Sequence, residues 1–389
     1  MRKDLIKKIE KKYSELFKSK PLIFRSPGRI NLIGEHIDYN NGFVLPAAIE
    51  MAIYIAVGKR EDLDIHLYSE DYQEGFQMLI DLISPQKGWP TYVLGVVDQL
   101  KKAGIQIGGF NMVIIGDVPI GAGLSSSAAL ECASVFALNT LFDLRIDPIV
   151  MVKMAQKAEH EYAGVQCGIM DQFASMMGKE GYVIKLDCDS LEYKYFPLKL
   201  NNFQVVLMDT QVKHSLASSE YNIRRLECGE GLSKIKNYFP AVQTFRDVTI
   251  EMIETVLLYG SKVYKRCKYV IEEIARVEDA CELLSNNKMW AFGADLYLTH
   301  EGLSTLYEVS CPELDFIVKE CKKEDSILGA RMMGGGFGGC VIAIIESDKI
   351  EKITQTIGQA YFEVFGIEMK VYITKIKNGT SGIIENKQN

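Results

Sequence analysis

The stretch that most constrains the fold of this chain lies between residues 116 and 131, GDVPIGAGLSSSAALE. It follows an apolar run, residues 110–115, that is typical of a buried strand, and it leads into a helical pattern over residues 128–141. Two glycines, Gly121 and Gly123, let the backbone of such a strand-to-helix connection approach a bulky anion closely. The sequence predicts either a phosphate-binding loop or ordinary turn and capping chemistry.

The serines of this loop strengthen the phosphate interpretation. Ser125, Ser126 and Ser127 place hydroxyl and main-chain N–H groups at the positive end of the following helix. The loop has no Walker A lysine, so the charge of a bound phosphate must be neutralised by the helix N-terminus, a metal ion and residues elsewhere.

Composition limits the possible classes of protein. A chain of 389 residues with 48% hydrophobic residues is long enough for a large core and favours two domains. The net charge of -7 argues against a nucleic-acid surface. The nine cysteines form no CxxC pairs, which favours reduced thiols over disulfides or a zinc cluster. With no apolar signal region and no segment approaching a membrane span, we expect a cytoplasmic protein that binds neither nucleic acid nor membrane.

A second unusual stretch, residues 26–50, contains side chains of both charges and is interrupted by glycines. Arg29, Glu35, His36 and Asp38 fall within ten residues of one another. A neutral, hydroxyl-rich ligand needs this mixture because each hydroxyl both donates and accepts a hydrogen bond. The alternative is a surface turn with local ion pairs.

Other segments allow a functional and a structural interpretation. Trp89 and Tyr92 could flank a flat base, although core packing is the commoner role of such residues. Asp171 begins a helical pattern and could be only a cap. The run GGGFGGC, residues 334–340, implies backbone held close to a ligand or to another loop. A change from strand-rich to helix-rich pattern predicts a domain boundary near residue 200. Beyond this boundary the pattern predicts separate helices over residues 262–277 and 279–286.

Three of these stretches together resemble a known family. Residues 28–46, GRINLIGEHIDYNNGFVLP, resemble the galactokinase signature. GAGLSSSAALE resembles the phosphate loop of the GHMP kinases (galacto-, homoserine, mevalonate and phosphomevalonate kinases), and GGGFGGC resembles the third motif of that superfamily. They occur in the family order, and the resemblance extends from about residue 26 to residue 375.

The resemblance implies an α+β, two-domain GHMP kinase fold. Residues 1–200 would form an amino-terminal domain like the second domain of ribosomal protein S5, and residues 201–389 a ferredoxin-like domain, with the active site between them. The implied reaction transfers the γ-phosphoryl group of ATP to the C1 hydroxyl of α-D-galactose, the first committed step of galactose metabolism. The implied cofactor is Mg²⁺, and the partners are galactose and MgATP; we expect a monomer.

Position by position, the resemblance assigns the site. Asp171 matches the catalytic aspartate and Arg29 its basic partner; the aspartate would accept the C1 proton early or mainly orient the hydroxyl. Ser127 and Glu159 match the magnesium contacts. The sugar contacts would be Glu35, His36, Ile37, Asp38, Gly168 and Tyr221. The ATP contacts would be Ser69, Trp89, Tyr92, Gly121, Ala122, Gly123, Leu124, Ser125, Ser126 and Ser127.

Two departures bear on substrate preference. Ile37 stands where galactokinases commonly have threonine, and residues 300–315 only partly match the family's SHxSLRDDYEVSCPELD. One alternative is therefore a sugar 1-kinase acting on N-acetylgalactosamine or L-arabinose. Another is a catalytically silent galactokinase-like sensor, against which the whole SSSAA segment, Arg29 and Asp171 all argue. A third, an α/β protein without small-molecule chemistry, would leave three ordered motifs to coincidence.

Overall fold

A computed structural model describes residues 2–119, 121–213 and 217–383 of the chain. The strands are β1 (Leu22–Asn31), β2 (Phe43–Val44), β3 (Pro46–Lys59), β4 (Asp64–Ser69), β5 (Glu74–Leu79), β6 (Phe110–Gly116), β7 (Tyr182–Asp187), β8 (Tyr193–Pro197), β9 (Phe203–Lys213), β10 (Ile327–Met333), β11 (Gly338–Glu346), β12 (Lys370–Thr374) and β13 (Ser381–Gly382). The helices are α1 (Lys3–Phe17), α2 (Pro90–Lys102), α3 (Ser126–Leu141), α4 (Pro148–Ala158), α5 (Met170–Met177), α6 (Ala217–Tyr238), α7 (Ile250–Val256), α8 (Lys262–Ser285), α9 (Met289–Thr305), α10 (Pro312–Cys321) and α11 (Ile350–Phe365).

A six-stranded sheet in the order β13-β1-β3-β6-β4-β5 forms the amino-terminal half. Its neighbours are antiparallel except for β4 and β6. Helix α1 covers one face through Ile9 and Tyr13, which pack with Val113 and Ile115 of β6. The alternate residues of β6 belong to the main hydrophobic core with α2 and α3. Burial on both faces explains why β6 is a continuous apolar run.

A four-stranded antiparallel sheet in the order β10-β11-β9-β12 forms the second half. Helix α9 lies very close to β10, since a Cβ on Gly293 would be only 1.9 Å from the carbonyl oxygen of Leu328. Strands β2, β7 and β8 form a separate small sheet, in which β7 contacts β3 of the first sheet. The mixed α+β composition predicted from the sequence is confirmed.

The carboxyl-terminal segment returns to the first sheet. Strand β13 pairs with β1, Ile376 bridges to Ile49, and the main-chain N–H of Lys377 donates to the carbonyl of Ala48. The division between the two large sheets falls near residue 200, but residues 376–383 pack with the first sheet. The boundary at residue 200 therefore stays a prediction.

One helix differs from its predicted form. The sequence pattern predicted separate helices over residues 262–277 and 279–286, whereas α8 runs unbroken through Ser285. Helix propensity continues through Glu278 and Asp279, and buried residues recur at helical spacing on both sides, including Val277, Ala280 and Cys281. The predicted break at residue 278 was wrong.

Candidate active site

A cavity of about 280 Å³ lies where the two halves of the chain meet. Residues from β1, from the loop that follows it, from the segment before α5 and from the start of α6 line it, together with the glycine-rich loop between β10 and β11. It brings together most of the residues that the sequence assigned to the sugar and to catalysis. Those lining residues are Arg29, Glu35, His36, Asp38, Gly168, Asp171 and Tyr221.

Asp171 and Arg29 form an ion pair in the wall of this cavity. Asp171 lies in the first turn of α5, and Arg29 Nε donates to its Oδ1 over 2.8 Å. The other carboxylate oxygen, Oδ2, accepts a bond from Ser125 Oγ at 2.5 Å. Burial alone would lower the pKa of Arg29, but Asp171 and Glu35 raise it above its usual value. Arg29 is therefore a permanent positive charge beside the carboxylate.

Arg29 also joins the sugar cavity to the phosphate loop. Its Nη1 donates to the carbonyl of Gly123, and its main-chain N–H donates to the carbonyl of Leu124. The preceding residue has to be glycine, because a Cβ on Gly28 would be 2.7 Å from the Leu124 oxygen. Strand β1 and the loop are thus held at a fixed distance.

Glu35 is buried and held by a residue that the sequence analysis missed. Arg331 Nη1 and the main-chain N–H of Gly334 each donate to Glu35 Oε2 at 3.0 Å. Burial would raise the pKa of Glu35, but Arg331 and Arg29 more than compensate and lower it below its usual value. The only sequence signal of this role was an arginine just before the GGGFGG run, at the end of an apolar strand.

His36 is buried and neutral. Burial lowers its pKa to about 4, although Glu35 partly opposes the shift. Its Nδ1 bonds to the hydroxyl of Tyr39 at 2.7 Å, whereas Nε2 has no hydrogen-bond partner among the residues that the structure describes. The ring of Tyr221 lies 5.4 Å from that of His36.

Asp38 packs against Gly168 in the wall of the cavity. A Cβ on Gly168 would be 1.8 Å from Asp38 Oδ2, so any larger residue there would force the Asp38 side chain to move. Burial, together with the negative charges of Asp171 and Glu35, raises the pKa of Asp38 to about 7. Ile37 differs from its neighbours: its side chain is fully buried in the hydrophobic core and does not line the cavity. Contact between Ile37 and a sugar stays a prediction.

A second cavity of about 450 Å³ lies on the other side of the phosphate loop. Five of the residues that the sequence assigned to ATP line it: Ser69, Trp89, Tyr92, Ser126 and Ser127. Trp89 is 8% exposed and its Nε1 donates to Glu74 Oε2, while burial raises the pKa of Tyr92 to about 12. The two rings thus pack partly on the core and partly on the cavity.

The backbone between Gly121 and Ser125 turns sharply. Gly121, Gly123 and Ser125 have φ angles of 80°, 73° and 57°, and Ser125 immediately precedes α3. Ala122 and Leu124 point into the core. A Cβ on Gly123 would be 3.3 Å from the carbonyl oxygen of Met333, so this loop packs directly on the end of β10.

Three stretches of the chain match known protein families. Residues 11–59 match the galactokinase galactose-binding signature, residues 91–179 the GHMP kinases N terminal domain, and residues 280–363 the GHMP kinases C terminal domain. A curated galactokinase from Thermosipho africanus is 41% identical over 359 residues, covering 92% of this chain and 99% of that protein. A galactokinase from Thermotoga maritima is 40% identical with the same coverage.

A solved structure agrees. Lactococcus lactis galactokinase complexed with galactose superposes with a TM-score of 0.93 and 34% identity, covering 97% of this chain and 100% of that one. This chain belongs to the galactokinase family. A mevalonate kinase structure shares the fold at a TM-score of 0.66 and 18% identity. The GHMP kinase fold implied by the three motifs is therefore confirmed, and the chain is a sugar kinase.

The galactokinase fold places a carboxylate and a hydroxyl where a magnesium ion would fit. Ser127 Oγ donates to Glu159 Oε1 over 2.9 Å, at the turn Glu159–Ala163 that follows α4. Burial raises the pKa of Glu159, and the negative charge of Asp171 raises it further. Gln172 Nε2 bridges Glu159 and the fully buried Glu131 at 2.6 and 3.2 Å. Two buried carboxyl groups, those of Glu131 and Glu159, thus lie close together and share one amide donor.

These donors suit Mg²⁺, which binds oxygen and usually takes few protein ligands beside substrate phosphates. Within the described ranges, no group of three or more His, Cys, Asp or Glu side chains could hold a metal ion alone. Contact of Ser127 and Glu159 with the ion stays a prediction.

No helix in the described part of the chain is long and apolar enough to cross a membrane.

Proposed function

We propose that this protein transfers the γ-phosphoryl group of ATP to the C1 hydroxyl of α-D-galactose, giving α-D-galactose 1-phosphate and ADP. The observation that carries the proposal is the Arg29–Asp171 pair, which lines the cavity containing Glu35, His36 and Asp38 and is bonded to the phosphate loop through Gly123. An acceptor hydroxyl and a nucleotide phosphate would meet at this pair.

The mechanism follows from the two side chains. Phosphoryl transfer depends mainly on positioning and on stabilising charge. Asp171 would orient the C1 hydroxyl and take its proton as the bond to phosphorus forms. Arg29, which is bonded to that carboxylate, would stabilise charge on the attacking oxygen or the moving phosphoryl group. Bound Mg²⁺ would neutralise charge on the β- and γ-phosphates.

The sugar would bind in the first cavity and the nucleotide in the second. Acceptor carboxylates and the His36 ring face the first cavity, which suits a ligand rich in hydroxyl groups. Trp89 and Tyr92 face the second cavity, which suits an adenine ring. The proposal also includes that the enzyme is cytoplasmic and monomeric and that it uses Mg²⁺.

Turnover across a panel of sugars tests the proposal. ADP release from MgATP would be measured with D-galactose, D-galactosamine, N-acetylgalactosamine, D-glucose and L-arabinose, and phosphorus NMR would locate the phosphate on the product. We expect the highest kcat/KM with galactose and an α-1-phosphate product. Higher kcat/KM with N-acetylgalactosamine or arabinose would point to another sugar 1-kinase. Binding of galactose and ATP without any turnover would point to a sensor.

Asp171→Asn tests the chemical step. The amide cannot accept the proton, so kcat should fall by about 10²–10⁴-fold while galactose and ATP still bind. Ser125→Ala removes only the hydroxyl that bonds Asp171 Oδ2 and should cost far less. Turnover close to that of the unmodified enzyme in Asp171→Asn would overturn the role assigned to this aspartate.

A further inference from the structure

A chain of hydrogen bonds runs behind His36, away from the sugar cavity. The hydroxyl of Tyr39 lies 2.7 Å from His36 Nδ1 and 3.0 Å from the hydroxyl of Tyr307, which in turn lies 3.2 Å from Cys228 Sγ. Tyr307 is fully buried at the end of α9, and Cys228 is fully buried in α6. We propose that this series of hydrogen bonds, Cys228–Tyr307–Tyr39, positions the His36 ring in a single tautomer. In that tautomer Nε2 carries the ring proton and donates a hydrogen bond to one hydroxyl of the sugar.

The direction of the chain follows from its protons. The Cys228 thiol is buried and holds its proton, since burial raises its pKa to about 12. If the thiol donates to Tyr307, then Tyr307 donates to Tyr39 and Tyr39 donates to Nδ1, so that each proton of the thiol and the two hydroxyls has an acceptor within the chain. In the opposite direction Tyr307 donates to sulfur, and the retained thiol proton then needs an acceptor outside the chain. Neutral imidazole carries one ring proton, so an accepting Nδ1 places that proton on Nε2.

The cavity supplies a reason for such a donor. Its lining carries the carboxyl groups of Glu35, Asp38, Glu159 and Asp171, which accept hydrogen bonds when ionised. Each sugar hydroxyl also needs a donor for its own oxygen. The buried Nε2 of His36 has no partner at hydrogen-bond distance in the described parts of the chain, although the main chain of Gly335 lies near the ring, and leaving such an atom unpaired is costly. A ligand hydroxyl would supply the missing acceptor.

The orientation of the His36 ring depends on its neighbours because the backbone at this residue is unusual. His36 has a φ of 62°, in the left-handed region, so its side chain leaves the backbone in an uncommon direction. Three tyrosine rings surround the imidazole, at centroid distances of 5.9 Å for Tyr39, 5.4 Å for Tyr221 and 5.2 Å for Tyr307. Packing limits where the ring can lie, and the bond to Tyr39 determines which nitrogen is protonated.

The direct test is ¹⁵N NMR of protein labelled at its five histidines, without sugar or nucleotide. The His36 signals are assigned by their loss in His36→Gln. In the unmodified protein, we expect a protonated Nε2 and an unprotonated Nδ1. Tyr39→Phe removes the bond to Nδ1, and Tyr307→Phe removes the hydroxyl that directs Tyr39, so each should give a mixture of tautomers. A protonated Nδ1 in the unmodified protein, or an unchanged tautomer in both variants, would overturn the proposal.

A kinetic test relates the chain to the sugar, and this part rests on the proposed function. Kinetics would be measured with galactose and with each mono-deoxygalactose that keeps the C1 hydroxyl. One deoxy sugar should lose about threefold to tenfold in kcat/KM with the unmodified enzyme, the value of one neutral hydrogen bond. In Tyr39→Phe that loss should shrink for the same sugar alone. An equal fall for every sugar would mean that Tyr39 has only a structural role.

Tyr361→Phe is the matched control. Tyr361 is also fully buried, and its hydroxyl donates to the carbonyl of Thr210, in the second sheet. This variant should leave the His36 signals and the sugar preferences unchanged. Absence of galactose turnover in the unmodified protein would overturn the proposed function, whereas the NMR result would still decide the tautomer.

Discussion

Arg331 Nη1 lies 3.0 Å from Glu35 Oε2, so a strand of the second sheet holds a carboxylate that faces the cavity from the first half of the chain. The same guanidinium donates to the carbonyl groups of Asn31 and Leu32. Arg331 is fully buried, and Glu35 is 3% exposed. One side chain therefore fixes both the ionised state of Glu35 and the course of the loop that carries it.

Arg331→Met should destabilise the protein and weaken sugar binding. Removing one partner of a buried ion pair leaves the other charge unpaired, which typically costs about 3–5 kcal/mol of unfolding free energy. We expect a loss of this size in urea unfolding, with a raised KM for galactose and a nearly unchanged KM for ATP. Arg331→Lys should fall between the unmodified protein and Arg331→Met, because an ammonium cannot reach Glu35 and both carbonyl groups at once.

Arg145→Met is the control for this prediction. Arg145 pairs with Asp143, but both side chains are exposed, and such pairs contribute little. We expect no measurable change in stability or kinetics. If Arg331→Met unfolded at the same urea concentration as the unmodified protein, the pair would not stabilise the fold.

Gly168→Ala should act on Asp38. The added methyl group would lie 1.8 Å from Asp38 Oδ2, so the carboxylate must move. Displacement of a binding group by about 1 Å can cost on the order of 100-fold, and we expect the galactose KM to rise by about tenfold to 100-fold. The ATP KM should change little.

Gly229→Ala is the control for the glycine substitution. Gly229 lies in α6 with open space around its Cβ position, so alanine should be tolerated and should slightly favour the helix. An unchanged galactose KM in Gly168→Ala would mean that Asp38 does not need its observed position to bind the sugar.

The elements and motifs that carry strong local signals were predictable from the sequence. Helix α3 after the glycine-serine loop, the fully buried strand β6 and the Pro148 start of α4 all follow from periodicity and capping. The stretch that resembles the galactokinase signature, residues 28–46, also indicated a cluster of hydrogen-bonding groups, because its charged residues lie close together in the sequence. Local spacing was sufficient in these cases.

Contacts between distant residues were not predictable in this way. Arg331 reaches Glu35 across 296 residues, and Tyr307 reaches Tyr39 across 268. No pattern of period 2 or 3.6 encodes such pairs, which depend on how the two sheets meet. Strand β5 was also missed, since its residues are largely exposed at a sheet edge and give little hydrophobic signal. Resemblance to a family supplied the roles of Asp171 and Glu159, which spacing alone could not assign.

The raised pKa of Asp38 predicts a pH-dependent stability. Burial and neighbouring carboxylates raise that pKa from 3.8 to about 7, so the folded protein holds a proton there that the unfolded chain has released. The contribution of protonated Asp38 to the free energy of unfolding is complete below about pH 4 and is lost as the pH rises to about 7. Asp38→Asn lacks this titration. In urea unfolding without sugar, the variant should gain stability relative to the unmodified protein between pH 5 and pH 8; parallel pH dependences would contradict the shift.

Glu159→Gln should weaken the use of magnesium. The amide keeps the size of the side chain but loses the negative charge that would attract the cation beside Ser127. Changing even an outer-shell partner of a metal typically costs about 10–100-fold in affinity, so the half-saturating Mg²⁺ concentration should rise by at least about tenfold at fixed ATP. Glu161→Gln is the matched control, because Glu161 lies in the same turn but bonds Gln99 and Lys102 at the surface. An equal Mg²⁺ requirement in the two variants would remove Glu159 from the metal site, whereas a selective rise in Glu159→Gln would assign the cation to the Ser127 side of the phosphate loop.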